Sequence, residues 1–172
     1  MGIAIVEANT ETHFLQFVEI VKEYFVWLRG RYQDMQWLID QVATAQSLEN
    51  ELNDLPLKYS MPTGMAFIAT VDGVLAGGGA WRNQPDGSCE MKRVFVRDNF
   101  KGIGLGRELC DAIMQSARKK GYKLMRLDTG KRMTEAQGLY RKLGFSSCHP
   151  YQDYPENIIR ELEFMQATLQ EC

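Results

Sequence analysis

From Val94 to Arg107 the chain reads Val-Phe-Val-Arg-Asp-Asn-Phe-Lys-Gly-Ile-Gly-Leu-Gly-Arg: an apolar run, a polar turn and three alternating glycines, Gly102, Gly104 and Gly106. An amphipathic pattern begins at once behind them. A strand that enters a helix through such a turn aims free backbone N–H groups and the positive end of the helix dipole at one point. Anions bind there, above all phosphates. Glycine is needed because a Cβ would block either the turn or the approach of a pyrophosphate to the backbone. Lys101 and Arg107 flank the turn with positive charge. The dinucleotide fingerprint G-x-G-x-x-G fails, because Arg107 stands where the third glycine belongs, and no G-x-x-x-x-G-K-[ST] segment exists.

The Lys101-Gly-Ile-Gly-Leu-Gly106 segment closely resembles the [Arg/Gln]-x-x-Gly-x-[Gly/Ala] signature of the GNAT acetyltransferase superfamily. Lys101 stands where that family more often has Arg or Gln, which keeps a charge at the turn. Ala136-Gln-Gly-Leu-Tyr-Arg-Lys-Leu-Gly-Phe145 resembles the family's A-x-x-L-Y-x-x-x-G-F segment, and Glu90–Val96 resembles its central strand. The three segments follow in the family's order and spacing, across about residues 65–165. The resemblance implies an α/β GNAT fold: a mixed, mostly antiparallel sheet of six to seven strands flanked by about four helices, as one domain over residues 1–172. It also implies acetyl-CoA as co-substrate, its pyrophosphate held by Lys101, Gly102, Ile103, Gly104, Leu105, Gly106 and Arg107. Val94, Phe95 and Val96 would offer backbone groups to the pantetheine arm, as an added strand does. Many members have Asn where this chain has Met133, so one contact to the co-substrate is missing or replaced.

Acetyl transfer from a thioester to an amine needs a neutral nucleophile, donors for the oxyanion and a proton for the leaving thiolate. Glu90 is the candidate base. Strand parity puts its side chain on one face with Val94 and Val96, and the resemblance places a catalytic glutamate there. A salt-bridged glutamate beside Lys92 and Arg93 is the alternative. Tyr140 is the candidate acid, donating to the sulfur; without the resemblance it reads as a core aromatic on an amphipathic helix. The resemblance places the acceptor between the first two helices and the late strands, which points to Trp27, Arg31 and Tyr32, and to Tyr151. Each of these is equally an aromatic or charged anchor of a solvated loop.

The expected reaction is acetylation of a primary amine on a small molecule or peptide. A non-catalytic acyl-CoA-binding regulatory module of the same fold is the alternative, and a dinucleotide-dependent oxidoreductase is the weaker rival. The 172 residues suit one domain with a sizeable core. With 22 acidic against 20 basic side chains, net charge is −2, and nucleic-acid binding has no electrostatic support. The start Met-Gly-Ile-Ala-Ile-Val-Glu lacks the charged region and long apolar run of a secretory signal. No apolar run approaches the ~20 residues of a membrane helix. Cys89, Cys110, Cys148 and Cys172 form no C-x-x-C pair and read as free thiols of a reducing cytoplasm. No metal constellation is visible, and His13 and His149 stand isolated. A homodimer stays open.

Periodicity predicts the elements that must hold these residues. A strand over 3–8 leads to a helix capped by Thr10 or Thr12, with Phe14, Leu15, Val18, Val21, Phe25 and Leu28 on its apolar face and Gly30 ending it. A second helix runs from about Met35 to Leu48, and 53–64 is loop. Asp72-Gly73 joins hairpin strands Met65–Val71 and Val74–Trp81. The strand Cys89–Val96, the helix behind the glycines, a strand Leu124–Thr129, a helix Thr134–Leu143 and strands at Phe145–Ser147 and near Ile158–Phe164 complete the domain.

Overall fold

A computed structural model describes residues 1–169; Cys172 lies outside them. The chain begins with β1 (Ile3–Glu7) and α1 (Glu11–Arg31). Thr10 caps α1, its hydroxyl accepting the His13 amide at 3.2 Å. The buried stripe of α1 is Phe17, Ile20, Val21, Phe25 and Leu28; Leu15, expected on that face, is 63% exposed. Gly30 lies inside the last turn instead of ending it. The expected second helix is two, α2 (Gln36–Ala45) and α3 (Leu48–Asn53), broken at Ser47 with φ of 52°. The expected loop 53–64 contains α4 (Leu55–Tyr59), capped by the Asp54 carboxylate accepting from the Leu57 amide.

The hairpin is β2 (Gly64–Val71) and β3 (Val74–Asn83), followed by β4 (Cys89–Val96). A 3₁₀ turn at Asp98–Phe100 and the glycines lead into α5 (Leu105–Lys119), then β5 (Leu124–Gly130), α6 (Thr134–Lys142) and β6 (Ser146–Ser147). The last strand expected near 158–164 is displaced: α7 (Glu156–Ile159) comes first, then β7 (Leu162–Thr168). The seven strands form one sheet in the order β1-β2-β3-β4-β5-β7-β6, antiparallel except between β4 and β5. The described residues hold seven α-helices, not about four, because α3, α4 and α7 are short elements in stretches read as loop or as parts of neighbours.

Helices cover both faces, so the sheet has two cores. On one face α5 packs Leu105, Leu109 and Ile113 against Met91, Met125 and Met165. On the other, α1 and α2 pack Phe17, Val21, Phe25 and Leu38 against Ile68, Ala80 and Phe164.

Two irregularities of β4 open the fold. The β3–β4 register passes from Gly78↔Phe95 to Ala80↔Lys92, so Arg93 and Val94 together oppose Gly79: a β-bulge. Arg93 holds φ of 59°, a left-handed conformation that costs a non-glycine residue about 1–2 kcal/mol. Beside it, a Cβ on Gly77 would lie 2.5 Å from the Phe95 carbonyl oxygen, so only glycine lets the strands approach there. In addition, β4 and β5 pair only at Cys89↔Met125 and Glu90↔Arg126. Beyond that point they part.

Candidate active site

Two adjoining spaces lie where β4 and β5 part. The larger is an open cleft of about 480 Å³ bounded by β4, the glycine turn, α6 and the α1 residues Tyr24, Trp27 and Arg31. Val94, Phe95, Val96, Lys101, Gly102, Gly104, Leu105, Gly106 and Arg107 all line it; Ile103 packs toward the α5 core instead. The smaller is a cavity of about 80 Å³ between the diverging strands, under α1 and α2. Tyr24, Val94 and Tyr140 line both.

The glycine turn leaves free backbone donors at the head of α5. Gly104 caps α5 with φ of 88°, a conformation glycine adopts without strain. The amides of Leu105 and Gly106 in the first turn have no carbonyl four residues behind them within the helix, and the dipole's positive end points the same way. A Cβ on Gly106 would lie no closer than 3.6 Å to its neighbours, so a side chain there would fit the protein and fill the cleft. Lys101 pairs with Asp98 at 2.5 Å and sits 4.4 Å from the Trp27 ring; Arg107 pairs with Asp111 at 3.7 Å. These residues fit a pyrophosphate. Met133, where the motif departs from the family, lines the cleft with its thioether side chain.

Tyr140 stands on the inner face of α6 and is buried. Burial raises its phenol well above the ordinary tyrosine value, helped by Cys110, Tyr24 and Asp128, so it keeps its proton at neutral pH.

Glu90 is placed differently from its expectation. Parity puts it beside Val94 and Val96, but the bulge at Arg93 reverses the alternation: Cys89, Met91, Val94 and Val96 belong to the α5 core, and Glu90 points to the opposite face. There it is 0% exposed and lines neither space. Its carboxylate accepts from Arg82 at 3.0 Å and from Tyr151 and Gln152 at 2.7 Å each, and Lys92 Nζ lies 3.5 Å away. Burial opposes its charge, yet Lys92, Arg82 and the bonds from Tyr151 and Gln152 prevail and hold it down at about 2.

Arg93 is anchored below the bulge. Its guanidinium donates to both Glu51 carboxylate oxygens at 2.8 and 3.0 Å and to Gln46 at 2.6 Å. Tyr59 and Lys58 complete the shell of Glu51. Desolvation raises the Glu51 pKa, but Arg93 and Lys58 outweigh it and lower the value to about 2.

Sequence reasoning overlooked Asp128, on β5 inside the small cavity. Desolvation raises its carboxyl above the ordinary aspartate value, Glu90 adds to the rise, and Lys92 and Arg93 oppose it; the Tyr154 hydroxyl donates to it at 3.4 Å. The signal was present as a lone acid in Leu-Asp-Thr-Gly at the end of a strand, but nothing in the sequence showed that the strands part there. The four acceptor candidates separate in space. Trp27 and Arg31 wall the cleft, Tyr32 lines the small cavity, and Tyr151 holds Glu90. Among the described residues, no group of three His, Cys, Asp or Glu side chains could hold a metal ion, and no helix is long and apolar enough to cross a membrane.

Comparison with known proteins agrees with this arrangement. Residues 16–145 match the Acetyltransferase (GNAT) family. An uncharacterized N-acetyltransferase of Schizosaccharomyces pombe is 36% identical over 121 residues, covering 65% of this chain and 70% of that protein. One from Dictyostelium discoideum is 35% identical over 81 residues, 47% of this chain and 37% of that longer protein. Among solved structures, the PaiA N-acetyltransferase of Thermoplasma acidophilum, in complex with coenzyme A, superimposes with a TM-score of 0.73 at 18% identity, over 98% of this chain and 99% of that one. The chain belongs to the GNAT acetyltransferase family and is an N-acetyltransferase.

Proposed function

We propose that this N-acetyltransferase moves the acetyl group of acetyl-CoA to a primary amine of a small molecule or peptide, with Tyr140 as proton donor to the departing sulfur. One observation carries the reading: Tyr140 lines both the cleft that fits the co-substrate and the cavity behind it, so its phenol stands where two reactants would meet. The glycine turn and the Lys101 and Arg107 side chains would hold the pyrophosphate. The unpaired edge that Val94–Val96 presents beyond the β4–β5 separation would take the pantetheine amides.

The amine nitrogen attacks the thioester carbonyl carbon, the C–S bond breaks, and coenzyme A leaves as a thiol. Tyr140 gives the sulfur its proton and regains one from the nitrogen, so one proton is released for each ammonium consumed. Glu90 is the weaker candidate for taking that proton. It lies in neither space, and a carboxyl held at about 2 is a poor base at neutral pH. We assign it to holding Lys92. A thiol-release assay over an amine panel, with calorimetric titration of acetyl-CoA, tests the function. Tight binding without release on any amine would leave the regulatory acyl-CoA-binding module.

A further inference from the structure

The small cavity is charged in an uncommon way. Lys92 and Asp128 both line it, from β4 and β5, and no ion pair joins them. Arg93 also reaches it, but its guanidinium is committed to Glu51 and Gln46. Lys92 is different. It is 6% exposed, and the carboxylate it pairs with, Glu90, sits at 3.5 Å and is shared with Arg82, Tyr151 and Gln152. A buried ammonium with only a shared, distant carboxylate and a buried Asp128 carboxyl held by the Tyr154 hydroxyl at 3.4 Å face the same space without closing on each other, so each can take a further partner of opposite charge. Leu38 and Ile39 of α2 wall the cavity with apolar surface, which strengthens any ionic contact made inside it.

We propose that this cavity is the acceptor site and that it takes a compact amine bearing a carboxylate, with the ammonium on Asp128 and the carboxylate on Lys92. The inference rests on the acetyl-transfer reading and names its acceptor class. The geometry disfavours the other common amines. A polyamine would bring a second cation against Lys92 and Arg93, and a simple alkylamine would leave Lys92 with only the Glu90 carboxylate that Arg82, Tyr151 and Gln152 share. Size bounds the acceptor: a cavity of ~150 Å³ holds a six-atom benzene, so about 80 Å³ takes roughly half of a six-atom acid such as alanine, and the remainder would extend past Tyr140 into the cleft. Asp128 would first fix the ammonium next to Tyr140 and then accept one of its protons. Its raised pKa, set by burial and by Glu90 against Lys92, Arg93 and the Tyr154 hydroxyl, suits that transfer.

The test compares alanine and β-alanine with their amides and with ethylamine, in wild type, Lys92→Met, Lys92→Arg and Asp128→Asn. Acetyl-CoA affinity is titrated for each protein. In wild type the acids exceed amides and ethylamine in kcat/KM by about 10²-fold, the scale of one charge-assisted contact. Lys92→Met collapses that acid-to-amide ratio toward one, Lys92→Arg restores part of it, and Asp128→Asn slows every amine. Lys92→Met leaves Glu90 its bonds from Arg82, Tyr151 and Gln152, and the partial rescue in Lys92→Arg separates a lost contact from a folding defect. Amides or ethylamine turned over as well as the acids, or a ratio unmoved in Lys92→Met, would overturn the proposal. Such a result with acetyl-CoA bound and thiol released leaves acetyl transfer standing; no acetyl-CoA binding in wild type would sink both.

Discussion

Replacing Glu51 by Gln tests the buried support of the active site most directly. Glu51 is 3% exposed and matches the charge of Arg93, which is itself buried and held in the left-handed bulge. Two routes give the magnitude. The Glu51 pKa falls from 4.5 to about 2 on folding, and at 1.36 kcal/mol per unit that shift is worth about 3 kcal/mol. Removing one member of a buried pair independently costs roughly 3–5 kcal/mol, because the other charge stays buried without compensation. Glu51→Gln is therefore expected to lose about 3 kcal/mol at pH 7, a fall of about 1–2 M in the urea midpoint.

The sign of the pH dependence is fixed. A carboxyl with a depressed folded pKa contributes stability that is complete above its unfolded value, 4.5, and is lost as pH falls through about 2. The gap between wild type and variant should thus be constant from pH 7 to about 5 and close between 4.5 and 2. Urea melts of both proteins at pH 7 and pH 3, compared at equal pH so that other carboxyls cancel, read it. A loss under 1 kcal/mol at pH 7, or a gap as wide at pH 3 as at 7, would refute the reasoning. Because Arg93 shapes the opening between β4 and β5, KM for the acceptor should rise in the same variant.

Three further outcomes follow from the site. Gly106→Val should remain folded, since its Cβ has room, and lose at least 10²-fold in acetyl-CoA affinity by calorimetry because the side chain fills the cleft; Gly104→Val should lose affinity too, with about 1–2 kcal/mol of strain at its positive φ. Tyr140→Phe keeps the ring and should bind acetyl-CoA nearly as wild type while single-turnover acetylation slows by about 10²-fold, the scale of one positioned proton donor; equal rates would make Tyr140 a structural aromatic. Glu90→Gln should lower kcat/KM by a similar factor at every pH from 5 to 9, because Glu90 is ionised throughout; a defect confined to low pH that recovers with rising pH would return Glu90 to the role of base.

The glycine turn, the hairpin at Asp72-Gly73 and the helix-forming periods were legible because each depends on neighbours in sequence. A left-handed residue, a tight turn and an apolar stripe leave local marks. The short helices α3 and α4 left weak ones. Asp54 caps α4 within a run of polar residues and Pro56, which also spells loop. Glu51 gave no sign at all: Leu-Glu-Asn-Glu-Leu reads as a solvated helix face, and its burial is decided by Arg93, 42 residues away. Asp128 is similar, since its environment is made by Lys92, Glu90 and Arg93 across a gap.

The mistaken face of Glu90 and the existence of the site have one cause. Alternation along an unbroken β4 would have kept Glu90, Val94 and Val96 on one side and would have let β4 pair onward with β5. The extra residue at Arg93 reverses the faces of everything before it relative to everything after it, and turns Lys92 and Arg93 toward α1 and α2. Glycines 77 to 79 give way on the β3 side, so the distortion is absorbed without losing the sheet. The ladder to β5 then ends at Glu90↔Arg126, leaving the edge of Val94–Val96 unpaired toward the cleft and the side chains of Lys92 and Asp128 across the cavity. The strain at Arg93 persists because Glu51, Gln46 and the face of the Phe25 ring hold its guanidinium. Relaxing Arg93 into ordinary extended geometry would restore strict alternation along β4 and carry Glu90 to the face of Val94 and Val96, so the buried ion pair under the bulge sets which side chains face the two spaces.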